Sequence, residues 1–390
     1  MVLLTGKEPV HVDEYGKSYC LLCPGPVNVD PAVAAALTAY AFCHREEEFS
    51  ALLRAIRSNA LAVAGLSDAY SVVVLTGSGS SGNEAVLSSA VSPGEKVLAL
   101  ASGEFGQRLG EISRIYNPDT QVQTHGWGEA IDLVRLEETL RSQRIDWVTM
   151  VHHETSTGVL NPVAAVGALC KRYGARLFVD AVSSFSADPL DMEAANITFM
   201  STSSGKAIGT YPGLALVFGR REAFCALEHQ PVRNYYLSLW RHYTFMEEKA
   251  QTPTTPAVPL FLALNRALEL VLAEGVDARY GRHAALASYV RRELRLRGLT
   301  LFGESLVMSN AVTSVCLPEG VDFEALRQML RQDGYVIYGG KGPLANKIIQ
   351  ISTIGYLDRA VLDGFFVAFD RAIGTLLGEQ ESLSRMRAAG

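Results

Sequence analysis

Short, almost wholly apolar runs recur along the first half of this chain, each stopped by a turn signal. That rhythm restricts the fold more than any other feature. The runs are SVVVL (71–75), KVLAL (96–100), WVTMV (147–151), RLFVD (176–180), ITFMS (197–201) and LALVF (214–218). Helix-length segments such as NEAVLSSAV, IDLVRLEETLRS and VAAVGALCKRY lie between several of them. A strand that is apolar along its length must be buried on both faces. Such strands separated by helices predict a mainly parallel sheet covered on both sides, an α/β architecture with right-handed crossovers.

The texture changes near residue 258. Two long helical patterns (258–275 and 278–297) precede a strand-like NAVTSVCL, a helix (322–332), short strands near 335 and 348, and a closing helix from about 358 to 376. The expected organisation is therefore an N-terminal arm (1–20), a large α/β domain (21–257) and a smaller α+β domain (258–390), with GEQESLSRMRAAG as a fraying end.

Formal net charge is −6 with no basic block, which argues against nucleic acid or an anionic membrane as partner. No apolar stretch reaches the length of a membrane span, and the N-terminal apolar run breaks too early for a signal peptide. Six scattered cysteines do not make a disulfide framework in a chain of 390 residues. Cys20 and Cys23 form a C-x-x-C, but no second ligand pair lies at zinc spacing, so no metal is expected. These features predict a reduced, cytoplasmic protein.

The chemistry gathers where the strands end. VVVLTGSGSSGNEAV runs from strand through a Gly/Ser turn into a helix, whose free amides suit an anion. Ser78, Gly79 and Ser80 are read as a phosphate cradle. The same string satisfies G-x-G-x-x-G through Gly77, Gly79 and Gly82, but a dinucleotide site needs an acid closing the next strand. KVLALAS has none there, and Glu104 comes late. Phe105 opens the following helix and could be core or cofactor contact. In VTMVHHETSTGVLNP, Thr155, Ser156 and Thr157 bring small hydroxyls to the same edge. His152 and His153 point opposite ways as strand neighbours, a poor metal pair; one is read as a ring-edge neighbour and the other as structural. Asp180 closes an apolar strand, as a helix cap or as a partner for a buried cation. Lys206 sits among small residues in STSSGKAIGT, with Met200 where a Walker motif needs glycine. Taken together, an anion cradle, a stacking ring, a carboxylate and an amine are what pyridoxal phosphate requires.

The order and spacing of these segments resemble the class V aminotransferase family of fold-type I pyridoxal-phosphate enzymes. The likeness covers nearly the whole chain, from LLCPGPVNVDP through CHREEEF, LTGSGSSGNEAV, GEFGQR, HHETSTGVLNP, VDAVSSF and SSGKAIGTYPGLALV, and on to RNYYLSL, TPTTPAVPLFLAL, GYVIYGGK and ISTIGYL. CHREEEF, ETSTGVLNP and YVIYGGK are most similar to the 2-aminoethylphosphonate–pyruvate transaminase branch. The resemblance implies that Lys206 carries the Schiff-base link and later moves the proton. It implies that Asp180 pairs with the pyridine nitrogen, that Phe105 and Val182 pack the two ring faces, and that Ser156 lies near the ring hydroxyl. It further implies a homodimer with shared active sites, in which Thr252 and Thr255 reach the neighbouring subunit's phosphate. The implied reaction moves an amino group from an aminophosphonate or amino acid to an oxo acid such as pyruvate.

One departure stands out. Where the family carries an arginine in a segment like FRIGTIG, this chain has IQISTIG, with Gln350 in that place. Glutamine lacks the charged bidentate fork that clamps a carboxylate. Lys341, Arg45 and Arg241 are the candidate replacements. The alternative is a specialised enzyme of the same cofactor that carries out elimination, side-chain replacement or carbon–carbon bond formation.

Overall fold

A computed structural model describes residues 19–39 and 42–388, with side chains as far as residue 378. Most of the expected N-terminal arm lies outside the described residues. The centre of the molecule is a seven-stranded sheet. From edge to edge its strands are Tyr70–Thr76, Leu214–Arg220, Phe199–Ser203, Arg176–Asp180, Trp147–Val151, Val97–Ala101 and Gln121–Thr124. All run parallel except Leu214–Arg220, which is antiparallel to both neighbours. The apolar runs became strands because helices cover both faces; Val72, Val73, Val74 and Leu75, for example, have no exposed surface.

Gln121–Thr124 was not expected. It is an edge strand whose polar, partly exposed residues carry none of the apolar signal that marks the others.

The smaller core is built on a three-stranded sheet in the order Val312–Cys316, Ile348–Ser352, Tyr338–Gly339. Helices Val276–Leu296, Phe323–Gln332 and Arg359–Ala388 pack around it. The last of these runs past residue 376, so the tail read as a fraying end continues the helix as far as Ala388. Its Glu, Gln, Leu, Met and Arg residues are good helix formers.

The two cores divide the chain differently from the expected boundary at 258. Helix Val258–Glu274 places Phe261, Leu264, Leu268 and Val271 in the large core, against helices Pro31–Leu37 and Glu47–Val63. Each such side chain contributes roughly 1.5–3 kcal/mol by burial, so the helix belongs with the large core. The N-terminal end goes the other way. Cys20–Leu21 pairs in parallel with Tyr335–Val336, and Leu22 is buried in the small core. Residues 23–29 then lead back to the edge of the large sheet, which sets them beside the site.

Candidate functional site

The parallel strands deliver their carboxyl ends to one edge, where open α/β sheets bind ligands. A cavity of about 310 Å³ opens there. Its lining includes Ser78, Gly79, Ser80, Phe105, Asp180, Val182 and Lys206, so seven residues singled out in the sequence meet at one place.

Ser78 caps helix Gly79–Ala90 in extended geometry and makes no side-chain capping bond, which leaves the first amides of the helix available to an anion. Glycine at 79 is required sterically: a Cβ there would lie 2.6 Å from Val182 Cγ2. Val182 therefore packs directly under the turn.

Asp180 is buried. Its Oδ1 accepts from the Val182 amide at 2.8 Å and its Oδ2 from Asn83 Nδ2 at 2.6 Å. Asn83 is itself fixed by the Ser201 hydroxyl. Burial pushes the Asp180 carboxyl above its ordinary pKa; the Val182 and Asn83 bonds, Lys206 and Arg108 act against it. A carboxylate in this setting is poised to gain from a cation.

Lys206 Nζ donates to the Pro24 carbonyl at 2.6 Å. Burial lowers its pKa to about 8, opposed by Cys23 and Asp180 and assisted by Lys341. Gly25 lies against this amine, at a φ of +138°, and a Cβ there would be 2.6 Å from Nζ. A side chain at position 25 would occupy the place of the amine.

Phe105 stands at the start of helix Glu104–Tyr116, whose cap residue, Gly103, offers no side chain. The buried Glu154 carboxylate supplies what is missing. It accepts from the Phe105 and Gly106 amides at 3.3 and 2.9 Å and from the Ser156 hydroxyl. Two cations flank the Phe105 ring: Arg108 at 4.8 Å and Lys341 Nζ at 5.3 Å from its centroid. Arg108 also lines the cavity.

Several expected residues are used elsewhere. Ser156 does not line the cavity: its hydroxyl bonds Glu154 and accepts from the Glu104 amide at 3.1 Å, and Thr155 faces the cavity in its stead. Gln350 is buried, and its Nε2 donates to the Thr155 carbonyl at 2.6 Å and to Ser314 at 3.1 Å. Its amide ties the small sheet to the hydroxyl loop. Arg45 donates to the Thr252 carbonyl at 2.7 Å and to Gln251 at 3.1 Å. Arg241 stacks 4.4 Å from the Tyr235 ring centroid. Thr252 is buried with its hydroxyl donating to the Thr254 carbonyl at 2.8 Å, while Thr255 is exposed. None of these last four lines the cavity of its own chain.

Gly25, Asn83 and Arg108 were missed in the sequence. Arg108 is three residues from Phe105, a spacing that puts both on one helix face; Asn83 is one turn beyond Gly79 on the same grounds. Of the two adjacent histidines, His153 lines the cavity and His152 does not.

The family model for aminotransferase class-V matches residues 33–352. The chain belongs to the class V aminotransferase family. It is 31% identical over 363 residues to 2-aminoethylphosphonate–pyruvate transaminase of Klebsiella pneumoniae, covering 92% of this chain and 98% of that protein. Among solved structures it is similar to pyridoxamine–pyruvate aminotransferase of Mesorhizobium loti, with a TM-score of 0.88 and 30% identity over 97% of this chain and 99% of the other. Alanine–glyoxylate aminotransferase of Nostoc sp. gives 0.87 and 29%, over 94% and 97%. The class V aminotransferase is thus a fold-type I, pyridoxal-phosphate-dependent transaminase. The donor set suits that cofactor, with a helix N-terminus for its phosphate, a buried carboxylate for its ring nitrogen and a glycine-cradled amine for its aldehyde carbon. Among the described residues no helix is long and apolar enough to cross a membrane.

Proposed function

We propose that this class V aminotransferase moves an amino group from an amino acid or aminophosphonate to a short oxo acid such as pyruvate or glyoxylate. The observation that carries the reading is the pairing, in one cavity, of a Lys206 amine whose pKa is lowered to about 8 with the buried Asp180 carboxylate. Pyridoxal phosphate, when bound, supplies the electron sink into which a Cα–H bond can ionise. Every other part comes from the chain.

Asp180 would hold the cofactor's ring nitrogen and favour its protonated form. It is rigid because Asn83 and the Val182 amide fix both of its oxygens. Lys206 would hold the cofactor through its aldehyde carbon, and its amine would carry the proton at the substrate's Cα. A pKa near 8 leaves a useful share of neutral amine close to neutral pH. Ser78, Gly79 and Ser80 hold the phosphate, and Phe105 and Val182 enclose the ring. Thr155 takes the cavity-facing place expected of Ser156.

Gln350 is spent on the Thr155 carbonyl and Ser314, so the substrate's anionic group is bound by Lys341 and Arg108 beside the Phe105 ring. Three proteins similar over most of the chain, 2-aminoethylphosphonate–pyruvate transaminase, pyridoxamine–pyruvate aminotransferase and alanine–glyoxylate aminotransferase, are transaminases named for pyruvate or glyoxylate, which supports transamination over elimination or replacement.

We also propose a cytoplasmic homodimer. All six cysteines are unpaired, and Tyr235 is exposed beside Arg241, as expected of a partner-covered face. Exposed Thr255, rather than Thr252, reaches the partner's site. Sedimentation at equilibrium tests the dimer; a monomer at working concentration refutes it.

The deciding experiment for the reaction is a half-reaction screen. Alanine, glycine and 2-aminoethylphosphonate are each mixed with cofactor-loaded protein. Loss of visible absorbance, reversed by pyruvate or glyoxylate, is expected with at least one donor. Release of ammonia or a cleaved side chain with no reversible amination overturns the reading.

A further inference from the structure

The Lys206 amine has its partner in the Pro24 carbonyl, but the backbone that carries it is held from behind, by Arg279. Lys206 stands in the loop between strands Phe199–Ser203 and Leu214–Arg220. Its carbonyl accepts from the Gly209 amide at 2.9 Å, which closes a tight turn with Ala207 and Ile208 at the corner. The turn itself pairs neither corner carbonyl, and a buried carbonyl needs a partner. Arg279 supplies it. Its Nη2 donates to the Ala207 carbonyl and, at 3.4 Å, to that of Ile208. Gly209, at a φ of +88°, brings the turn close to that nitrogen; a Cβ there would lie 3.5 Å from it.

Arg279 is 7% exposed, so its charge needs an answering carboxylate. Glu274 provides one, accepting from Arg279 Nη1 at 2.9 Å and from Arg282 Nε at 2.6 Å. Glu274 ends the large-core helix Val258–Glu274. Arg279 lies near the start of Val276–Leu296, which packs in the small core. The guanidinium therefore gives one nitrogen to the helix junction and another to the Lys206 turn. An ammonium, with a single nitrogen, cannot divide itself in that way. Ala207 completes the hold: it has no exposed surface and clusters with Ala311, Val312 and Ile354.

We propose that Arg279 is a positioning residue for the Lys206 amine, acting through the Ala207 and Ile208 carbonyls, with Glu274 setting the direction of the guanidinium. This rests on the reading of Lys206 as the reactive amine given under the proposed function. With the turn fixed at one end and Nζ held by the Pro24 carbonyl at 2.6 Å at the other, the four-carbon stem between them has little freedom left. Loosening the turn lets Nζ drift, and a misplacement on the order of 1 Å costs roughly 10²-fold in rate. It also lets water reach the amine, whose pKa of about 8 is a product of burial.

The test compares wild type with Arg279→Met, Arg279→Lys and Arg282→Met. The first readout uses cofactor-free protein: the rate of reductive methylation of Lys206 by formaldehyde and cyanoborohydride, followed by mass spectrometry across pH. The second is kcat and KM of the loaded enzyme with alanine or 2-aminoethylphosphonate, whichever the half-reaction screen finds active. Arg279→Met should raise the pH midpoint of methylation by about 1 pH unit and lower kcat about 10–100-fold with KM little changed. Arg279→Lys, which keeps one charged donor, should fall between. Arg282→Met removes an ion pair from the same Glu274 without touching the turn, so it should lower the melting temperature and leave both readouts at wild-type values. Equal effects of Arg279→Met and Arg282→Met on midpoint and kcat would make Arg279 structural only and overturn the proposal. If Arg279→Met does not fold, Arg279→Lys decides: a raised midpoint with reduced kcat upholds the assignment, and wild-type values end it. A raised midpoint in a protein whose wild type aminates no oxo acid upholds the positioning and refutes only the reaction.

Discussion

The two sides of the site are built on different terms. The large-sheet wall is complete within one core: Asp180, Asn83, Ser201 and Val182 hold one another, and position 79 admits only glycine because Val182 packs under it. The small domain, none of whose described residues lines the cavity, meets that wall through single contacts. Gln350 reaches the Thr155 carbonyl, Ser309 reaches His153, and Lys341 reaches the Phe105 ring. The first side carries the residues proposed to hold the cofactor. The second carries Gln350, where the resemblance implies an arginine.

That contrast can be broken most severely at the large-sheet wall. Lys206→Ala should abolish cofactor-linked visible absorbance and lower kcat by at least ~10³-fold, read by spectrum and by single-turnover kinetics. Asp180→Asn should cost on the order of 10²–10³-fold in kcat, because a neutral amide no longer stabilises a protonated ring nitrogen. A variant with full turnover would show that the buried carboxylate is structural.

On the opposite side the effects should be smaller and fall on binding. Lys341→Met should reduce kcat/KM by about 10–100-fold, the scale of a lost charge-assisted contact, with KM rising more than kcat falls. Equal KM would move the anion site elsewhere. Gln350→Arg should not create a clamp. The position is 2% exposed and its amide is committed, so a guanidinium there buries a charge. The expected outcome is a lower melting temperature and no new donor. Improved turnover of ordinary amino acids would show instead that the clamp had only been missing.

The smallest expected effect is on stability with pH. Lys206 is lowered from 10.5 to about 8 in the folded chain, so between those values the unfolded chain binds more protons. Cofactor-free protein should therefore gain stability as pH rises from about 8 towards 10.5, and Lys206→Met should remove that part of the slope in chemical denaturation.

What the sequence made legible follows the same division. Fully buried strands announce themselves, and their ends marked Asp180, Phe105 and the Ser78 turn without any coordinates. Three kinds of fact were hidden. The polar edge strand Gln121–Thr124 has no apolar signature. Whether Thr155 or Ser156 turns to the cavity depends on Glu154 drawing the Ser156 hydroxyl to the neighbouring helix, a contact between distant segments. The duty of Gln350 could not be read either, since its partners, Thr155 and Ser314, are 195 and 36 residues away. Substitution of an arginine said what was absent but not what the new side chain was doing.

The short N-terminal strand has a consequence of its own. Residues 20 and 21 are stitched to the small sheet region at Tyr335–Val336, while three residues later the Pro24 carbonyl receives the reactive amine of Lys206 from the large core. The Lys206 amine is thus tied to the opposite half of the molecule. Were the halves to separate, the amine would either lose its acceptor or draw the tether with it.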